Sequence, residues 1–197
     1  MKKAIAILGG AFDPVHLGHL ALAEDTFAEL DFDAVWFVPT AQSPLKSEPP
    51  GLHEAGRLDL LRLALADFPD FQICRAELHR GGISYTIDTV RQLNGRYPDI
   101  AFSWIIGADQ VRQLNRWRGI GELAKRIRFI VVARPGVEMA LLQTGIPGLR
   151  LQRVASRLLD ISSTDIRLRI AEGKAVNHLL PKPVGDLIMD RKYYSKS

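Results

Sequence analysis

Gly9-Gly10-Ala11-Phe12-Asp13-Pro14-Val15-His16-Leu17-Gly18-His19 gathers two adjacent glycines, a proline-fixed turn and two imidazoles in one short stretch. Glycines let a ligand approach the main chain closely, and a helix start offers N–H groups and a positive dipole end to an anion. His16 and His19 are three apart, so in a first helical turn they share a face. Two imidazoles beside an anion site suggest phosphate chemistry. The same residues admit plainer roles as capping or packing histidines. A zinc pair is the weaker alternative, since no further cluster of Cys, His and carboxylate completes a tetrahedral set.

The flanks say what must hold this stretch in place. Ala4–Leu8 is a short apolar run that reads as a buried strand, and Gly18–Glu29 reads as a helix. The motif therefore sits on a strand-to-helix crossover, the edge of an open α/β sheet where ligands bind. Further apolar runs follow at Ala34–Val38, Phe71–Cys74, Phe102–Ile106, Arg128–Val132 and Leu149–Gln152. Helices are expected at His53–Ala66, Thr86–Arg96 and Ile120–Arg126, the first with Leu58, Leu61 and Leu65 as an apolar stripe. The alternation predicts an α/β fold: a doubly wound, Rossmann-like parallel sheet with helices on both faces. Residues 1–197 are expected to form a single domain whose C-terminal segment, Ile161–Arg191, is helical and broken by Gly173, Pro181 and Pro183. Ala41–Leu52, with its prolines, reads as a loop and a candidate lid.

Other stretches could also carry chemistry. Ile161-Ser162-Ser163-Thr164-Asp165-Ile166-Arg167 places hydroxyls before an apolar-periodic run, and Ser162 with Asp165 has capping-box-like spacing. Gly82-Ile83-Ser84-Tyr85-Thr86-Ile87-Asp88-Thr89 opens a helix with backbone donors and hydroxyls for a small polar group, or simply caps it. Asp109, after Ile105-Ile106-Gly107-Ala108, ends a strand at the ligand edge and either accepts from ribose hydroxyls or caps the next helix. Trp117 lies in the polar segment Asn115–Arg118, where its indole either stacks on a flat heterocycle or joins the core.

Composition narrows the partners. The 197 residues carry a formal charge of +4, with 47% hydrophobic and 24% charged residues, ordinary for a globular chain. No run approaches the length of a membrane span. The charge is too modest, and no basic run interleaved with aromatics appears, so nucleic acid and membrane are not expected partners. The one cysteine, Cys74, excludes an internal disulfide and fits a cytoplasmic location; in its apolar run it reads as a core residue. Arginine outnumbers lysine, and the guanidinium fork suits phosphate recognition.

Gly9-Gly10-x-Phe12-Asp13-Pro14-x-His16-x-Gly18-His19 resembles the signature of the nucleotidylyltransferase superfamily, with its His-x-Gly-His core. Ile161–Arg167 is similar to the superfamily's second element, which holds a triphosphate at a helix N-terminus. Ser84–Thr89, Ile106–Asp109, Trp117 and the Pro39-x4-Pro44-x-Lys46 loop resemble the bacterial nicotinate-nucleotide adenylyltransferase branch. The resemblance implies transfer of AMP from ATP to nicotinate mononucleotide in NAD biosynthesis, with pyrophosphate released. It implies His16, His19, Lys46 and Arg167 as catalytic phosphate contacts. Gly9, Gly10, Ala11, Phe12, His16, Gly18, His19, Gly107, Asp109, Ser163, Thr164 and Arg167 would bind ATP. Lys46, Ser84, Tyr85, Thr86 and Trp117 would bind the acceptor. Mg²⁺ is expected mainly on the ATP phosphates, with no metal cage in the protein; Asp13 is a weak candidate ligand, and fixing the turn before Pro14 is its favoured role. Two residues depart from the family: Ala11 replaces the usual Thr or Ser, and Arg118 replaces a frequent aromatic. Related acceptors, nicotinamide mononucleotide or phosphopantetheine, and a non-catalytic nucleotide-binding regulator are the competing readings. A homo-oligomer is compatible with all of them.

Overall fold

The computed structural model describes residues 2–44, 48–133, 144–156 and 161–195. Six strands form one sheet: β1 (Lys3–Gly10), β2 (Ala34–Pro39), β3 (Phe71–Ile73), β4 (Ile100–Gly107), β5 (Arg128–Ala133) and β6 (Leu151–Ala155). All neighbours are parallel, in the order β3-β2-β1-β4-β5-β6. The chain winds outward from β1 in one direction, then returns to start again at β4. The crevice at the carboxyl ends of β1 and β4 is thus the switch point of a doubly wound sheet.

The helices are α1 (Leu17–Glu29), α2 (Glu54–Ala64), α3 (Ala76–Arg80), α4 (Thr86–Arg96), α5 (Ala108–Val111), α6 (Ile120–Arg126), α7 (Ser163–Ala171) and α8 (Lys182–Asp190). Alternation along each strand feeds two separate cores. Ala6 and Leu8 of β1, with Val35 and Phe37 of β2, meet Leu20, Leu61, Ile166 and Val184 from α1, α2, α7 and α8. Ile5 and Ile7, with Phe102 and Trp104 of β4, meet Ile87, Leu93 and Leu123 from α4 and α6 on the opposite face. Burial on both faces explains why these strands read as unbroken apolar runs. Each fully buried Leu or Phe contributes about 1.5–3 kcal/mol. Among the described residues, no helix is long and apolar enough to cross a membrane.

Several boundaries differ from the sequence expectation. β6 begins at Leu151, not Leu149, because the Pro147-Gly148 turn comes first and Gly148 adopts φ +76°. α2 stops at Ala64. The C-terminal segment is two helices, and Pro183 does not break the second: it occupies the first turn of α8, where a missing N–H costs nothing. The break lies between Ala171 and Lys182, where Gly173 adopts φ +69°.

Candidate active site

His16 is the N-cap of α1, just outside the helix, and His19 sits in its first turn. Their rings stack with centroids 3.7 Å apart. The His16 backbone N–H donates to Nδ1 of His19 at 3.3 Å. Nδ1 is therefore the unprotonated nitrogen of the neutral ring, and Nε2 carries the proton as a donor. The His16 side chain is 6% exposed and its Nδ1 has no hydrogen-bond partner. Burial lowers the His16 pKa from 6.5 to about 4. Desolvation, and then the neighbouring His16, also hold His19 well below its ordinary value. Both rings are neutral donors and acceptors in the free protein, not cations.

Three motif residues make this arrangement fit. A Cβ at Gly18 would lie 3.1 Å from Nδ1 of His16 and 3.6 Å from Cβ of Ile161. A Cβ at Gly9 would meet the Trp104 ring at 2.6 Å. Phe12 adopts φ +48°, which turns its buried ring against His19 at 4.9 Å and Phe37 at 5.5 Å. Its side chain supports the histidine from the core side. The start of α1 offers fewer free donors than expected, because Leu17 N–H is committed to Leu179 O at 3.0 Å.

The second motif arrives at the same place. Ser162 caps α7 by accepting from Asp165 N–H at 3.1 Å, as its spacing predicts. Ser163 Oγ donates to Pro14 O at 2.9 Å, and Arg167 donates to Asp13 O at 2.7 Å. Arg167 also reaches Oγ1 of the exposed Thr164 at 3.4 Å. Two stretches about 150 residues apart thus share one patch of main chain. Asp13 itself is buried and accepts from Gly51 N–H, Leu52 N–H and the Tyr194 hydroxyl. It fixes the turn against two other segments, and so is not placed to act as a metal ligand. Among the described residues, no group of three or more His, Cys, Asp or Glu gathers closely enough to hold a metal.

A cleft of about 450 Å³ opens beside this patch. It brings together Gly9, Gly10 and Ala11 of the first motif with Ser84, Tyr85, Thr86 and Trp117. His16, His19, Ser163, Thr164, Arg167, Gly107 and Asp109 lie outside its lining. Trp117 combines both of its sequence readings: one side packs on Phe129 at 6.0 Å, and another faces the cleft. Ser84 Oγ accepts from Ala41 N–H at 3.0 Å, tying the loop after β2 to the start of α4. Asp109 is exposed in the first turn of α5, and the N-cap there is Gly107. A Cβ on Gly107 would come within 2.5 Å of the Asp109 carboxylate. Lys46 lies outside the described residues.

Four contributors, Arg57, Glu77, Arg116 and Tyr194, escaped the sequence reading. Arg57, 3% exposed on α2, donates to Ala11 O at 2.7 Å and Thr40 O at 2.9 Å, clamping the ends of β1 and β2. Its signal is position: it stands one turn before the buried Leu60 and Leu61. Glu77, buried on the five-residue α3, accepts from Thr89 Oγ1 at 2.6 Å and lines the cleft. Burial raises its pKa. Arg118 holds its guanidinium 4.6 Å over the Tyr85 ring, and Arg116 lines the same wall; neither is ion-paired with a described residue. Tyr194 reaches Asp13 from the C-terminal segment, a contact no local pattern announces.

A doubly wound sheet with a histidine pair and an arginine at its switch point defines a protein of the nucleotidyl-transferring type. The pattern of the cytidylyltransferase-like family matches residues 7–169. A protein of Exiguobacterium sibiricum named probable nicotinate-nucleotide adenylyltransferase is 42% identical over 191 residues, covering 97% of this chain and 98% of its own. One of the same name from Halalkalibacterium halodurans is 42% identical, covering 98% and 91%. The solved Plasmodium falciparum nicotinic acid mononucleotide adenylyltransferase, complexed with NaAD, superposes with a TM-score of 0.80 at 19% identity, covering 98% and 97%. The chain belongs to the nicotinate-nucleotide adenylyltransferase family.

Proposed function

We propose that this protein transfers AMP from ATP to the phosphate of nicotinate mononucleotide, giving nicotinate adenine dinucleotide and pyrophosphate. The observation that carries the reading is the meeting of residues 13–19 with residues 162–167 beside a cleft walled by Thr86 and Trp117. Family membership supports it. The reading extends to a cytoplasmic enzyme of NAD biosynthesis, with residues 1–197 acting as one domain.

The acceptor phosphate has a second pKa of about 6, so at neutral pH it is largely a dianion and needs no general base. Its oxygen forms a bond to the α-phosphorus of ATP. The bond from that phosphorus to the bridging oxygen breaks, and pyrophosphate leaves with the bonding pair. The protein's task is alignment and charge stabilisation. His19, through Nε2–H, and Arg167 are assigned to the triphosphate oxygens, with His16, Ser163, Thr164 and the Gly9–Phe12 main chain around them. Lys46 is assigned to the phosphates from its loop. Gly107 and Asp109 are assigned to the adenosine, and Ser84, Tyr85, Thr86 and Trp117 to the nicotinate nucleotide. Mg²⁺ enters as part of the substrate, on the ATP phosphates.

The test is pyrophosphate release from MgATP with nicotinate mononucleotide, nicotinamide mononucleotide and phosphopantetheine as acceptors. A tenfold preference in kcat/KM for the nicotinate, worth about 1.4 kcal/mol, is expected. Preference for another acceptor would overturn the assigned ring pocket. Binding of ATP without release for any acceptor would favour a regulator.

A further inference from the structure

The contacts of Asp13 are unusual for a carboxylate beside an arginine. Arg167 comes no closer than 3.7 Å to Oδ2, although the same guanidinium nitrogen donates to the Asp13 carbonyl at 2.7 Å. The carboxylate is instead filled by neutral donors: Gly51 N–H at 2.7 Å on Oδ2, then Leu52 N–H at 3.1 Å and Tyr194 O–H at 2.8 Å on Oδ1. Arg57, the other cation near Asp13, commits its guanidinium to Ala11 O and Thr40 O.

The Tyr194 contact is built at a backbone cost. Lys192 and Tyr194 both adopt left-handed φ, +53° and +64°, which non-glycine residues rarely take without compensation. Tyr193 N–H bonds back to Ile188 O at 3.0 Å, and the Tyr193 ring meets His53 at 6.3 Å, so the turn after α8 is anchored at the residue preceding Tyr194. Burial, reinforced by Asp13, pushes the Tyr194 hydroxyl up, which keeps it a donor.

We propose that Tyr194 is a positioning residue for Arg167: by occupying Asp13 Oδ1 from the C-terminal segment, it keeps the guanidinium out of a close ion pair with Asp13 and turned to the triphosphate. A buried carboxylate oxygen that loses a donor draws the nearest cation, and here that cation is Arg167. The proposal rests on the assignment of Arg167 to the ATP phosphates.

The experiment measures KM for ATP and kcat, together with the Kd values of a non-hydrolysable ATP analogue and of adenosine. It compares the full-length protein with Y194F, R167A and the double variant. Y194F is expected to weaken the triphosphate ligand fivefold or more, to leave adenosine within twofold, and to add nothing in the R167A background. Equal weakening of both ligands, no weakening, or an additive double variant would overturn the proposal. Adenosine affinity held within twofold, together with an unfolding transition above the assay temperature, shows that Y194F is folded. If R167A itself leaves triphosphate binding unchanged, the assignment of Arg167 fails instead.

Discussion

Acidification should destabilise this protein through His16 before it protonates most carboxylates. The unfolded chain takes up a proton at His16 near pH 6.5, whereas the folded chain resists until about pH 4, because burial disfavours the charged ring. Between those values the unfolded state binds more protons, so stability falls as pH falls and levels off below the folded pKa. At 1.36 kcal/mol per unit, the gap corresponds to roughly 3 kcal/mol from this one side chain. That is a large share of a typical domain stability of about 5–15 kcal/mol. The informative comparison is with H16N, since asparagine is a favoured N-cap and keeps the start of α1 intact. Urea unfolding of both proteins between pH 7.5 and 4 cancels the titrations they share. The stability of the native protein relative to H16N should drop by about 3 kcal/mol across that range. Parallel curves, or a His16 proton resonance titrating near 6.5, would refute the reasoning.

Two further substitutions separate geometry from stability. G18A adds a Cβ 3.1 Å from Nδ1 of His16 and should disturb the stacked pair; kcat/KM is expected to fall at least tenfold. Its melting temperature should change little, because alanine recovers up to about 1 kcal/mol of helix propensity. R118Y restores the aromatic frequent in the family and removes a cation from the Tyr85 wall. It should reduce the preference for nicotinate over nicotinamide mononucleotide severalfold, read as a ratio of kcat/KM values; an unchanged ratio would exclude Arg118 from acceptor choice.

The four inner strands, β1, β2, β4 and β5, were legible because they are buried on both faces and therefore written as short apolar runs, whereas the edge strands β3 and β6 are half-exposed and carry Gln72, Gln152 and Arg153. Thr86–Arg96 and Ile120–Arg126 emerged with the expected limits, since apolar spacing and a glycine or proline neighbour mark their ends. Helices of four or five residues, such as Ala76–Arg80 and Ala108–Val111, are too short for periodicity to reveal. The site shows the same division. His16, Gly18, His19 and Ser162 are local in sequence, so their capping and stacking follow from spacing. Arg57, Glu77 and Tyr194 act across the fold, and only tertiary structure brings Tyr194 to a residue 181 positions away.

The charge state of the histidines changes how the site must work. The sequence invites a picture of two cations waiting for a polyanion, but a stacked, desolvated pair cannot hold two charges at neutral pH. The permanent positive charge therefore comes from arginine, and the imidazoles begin as neutral hydrogen-bonding groups. An arriving triphosphate supplies the negative field that burial lacks, and that field raises the pKa of the ring nearest to it. Binding should thus take up protons at pH values above about 4, where the free His16 ring is neutral, visible as a dependence of calorimetric binding enthalpy on the buffer's ionisation enthalpy. A ring charged in this way is matched to the phosphates that charged it, and it loses that match when pyrophosphate departs. Buffer-independent enthalpies would mean that the pair stays neutral throughout and that arginine, with Lys46, carries the electrostatics alone.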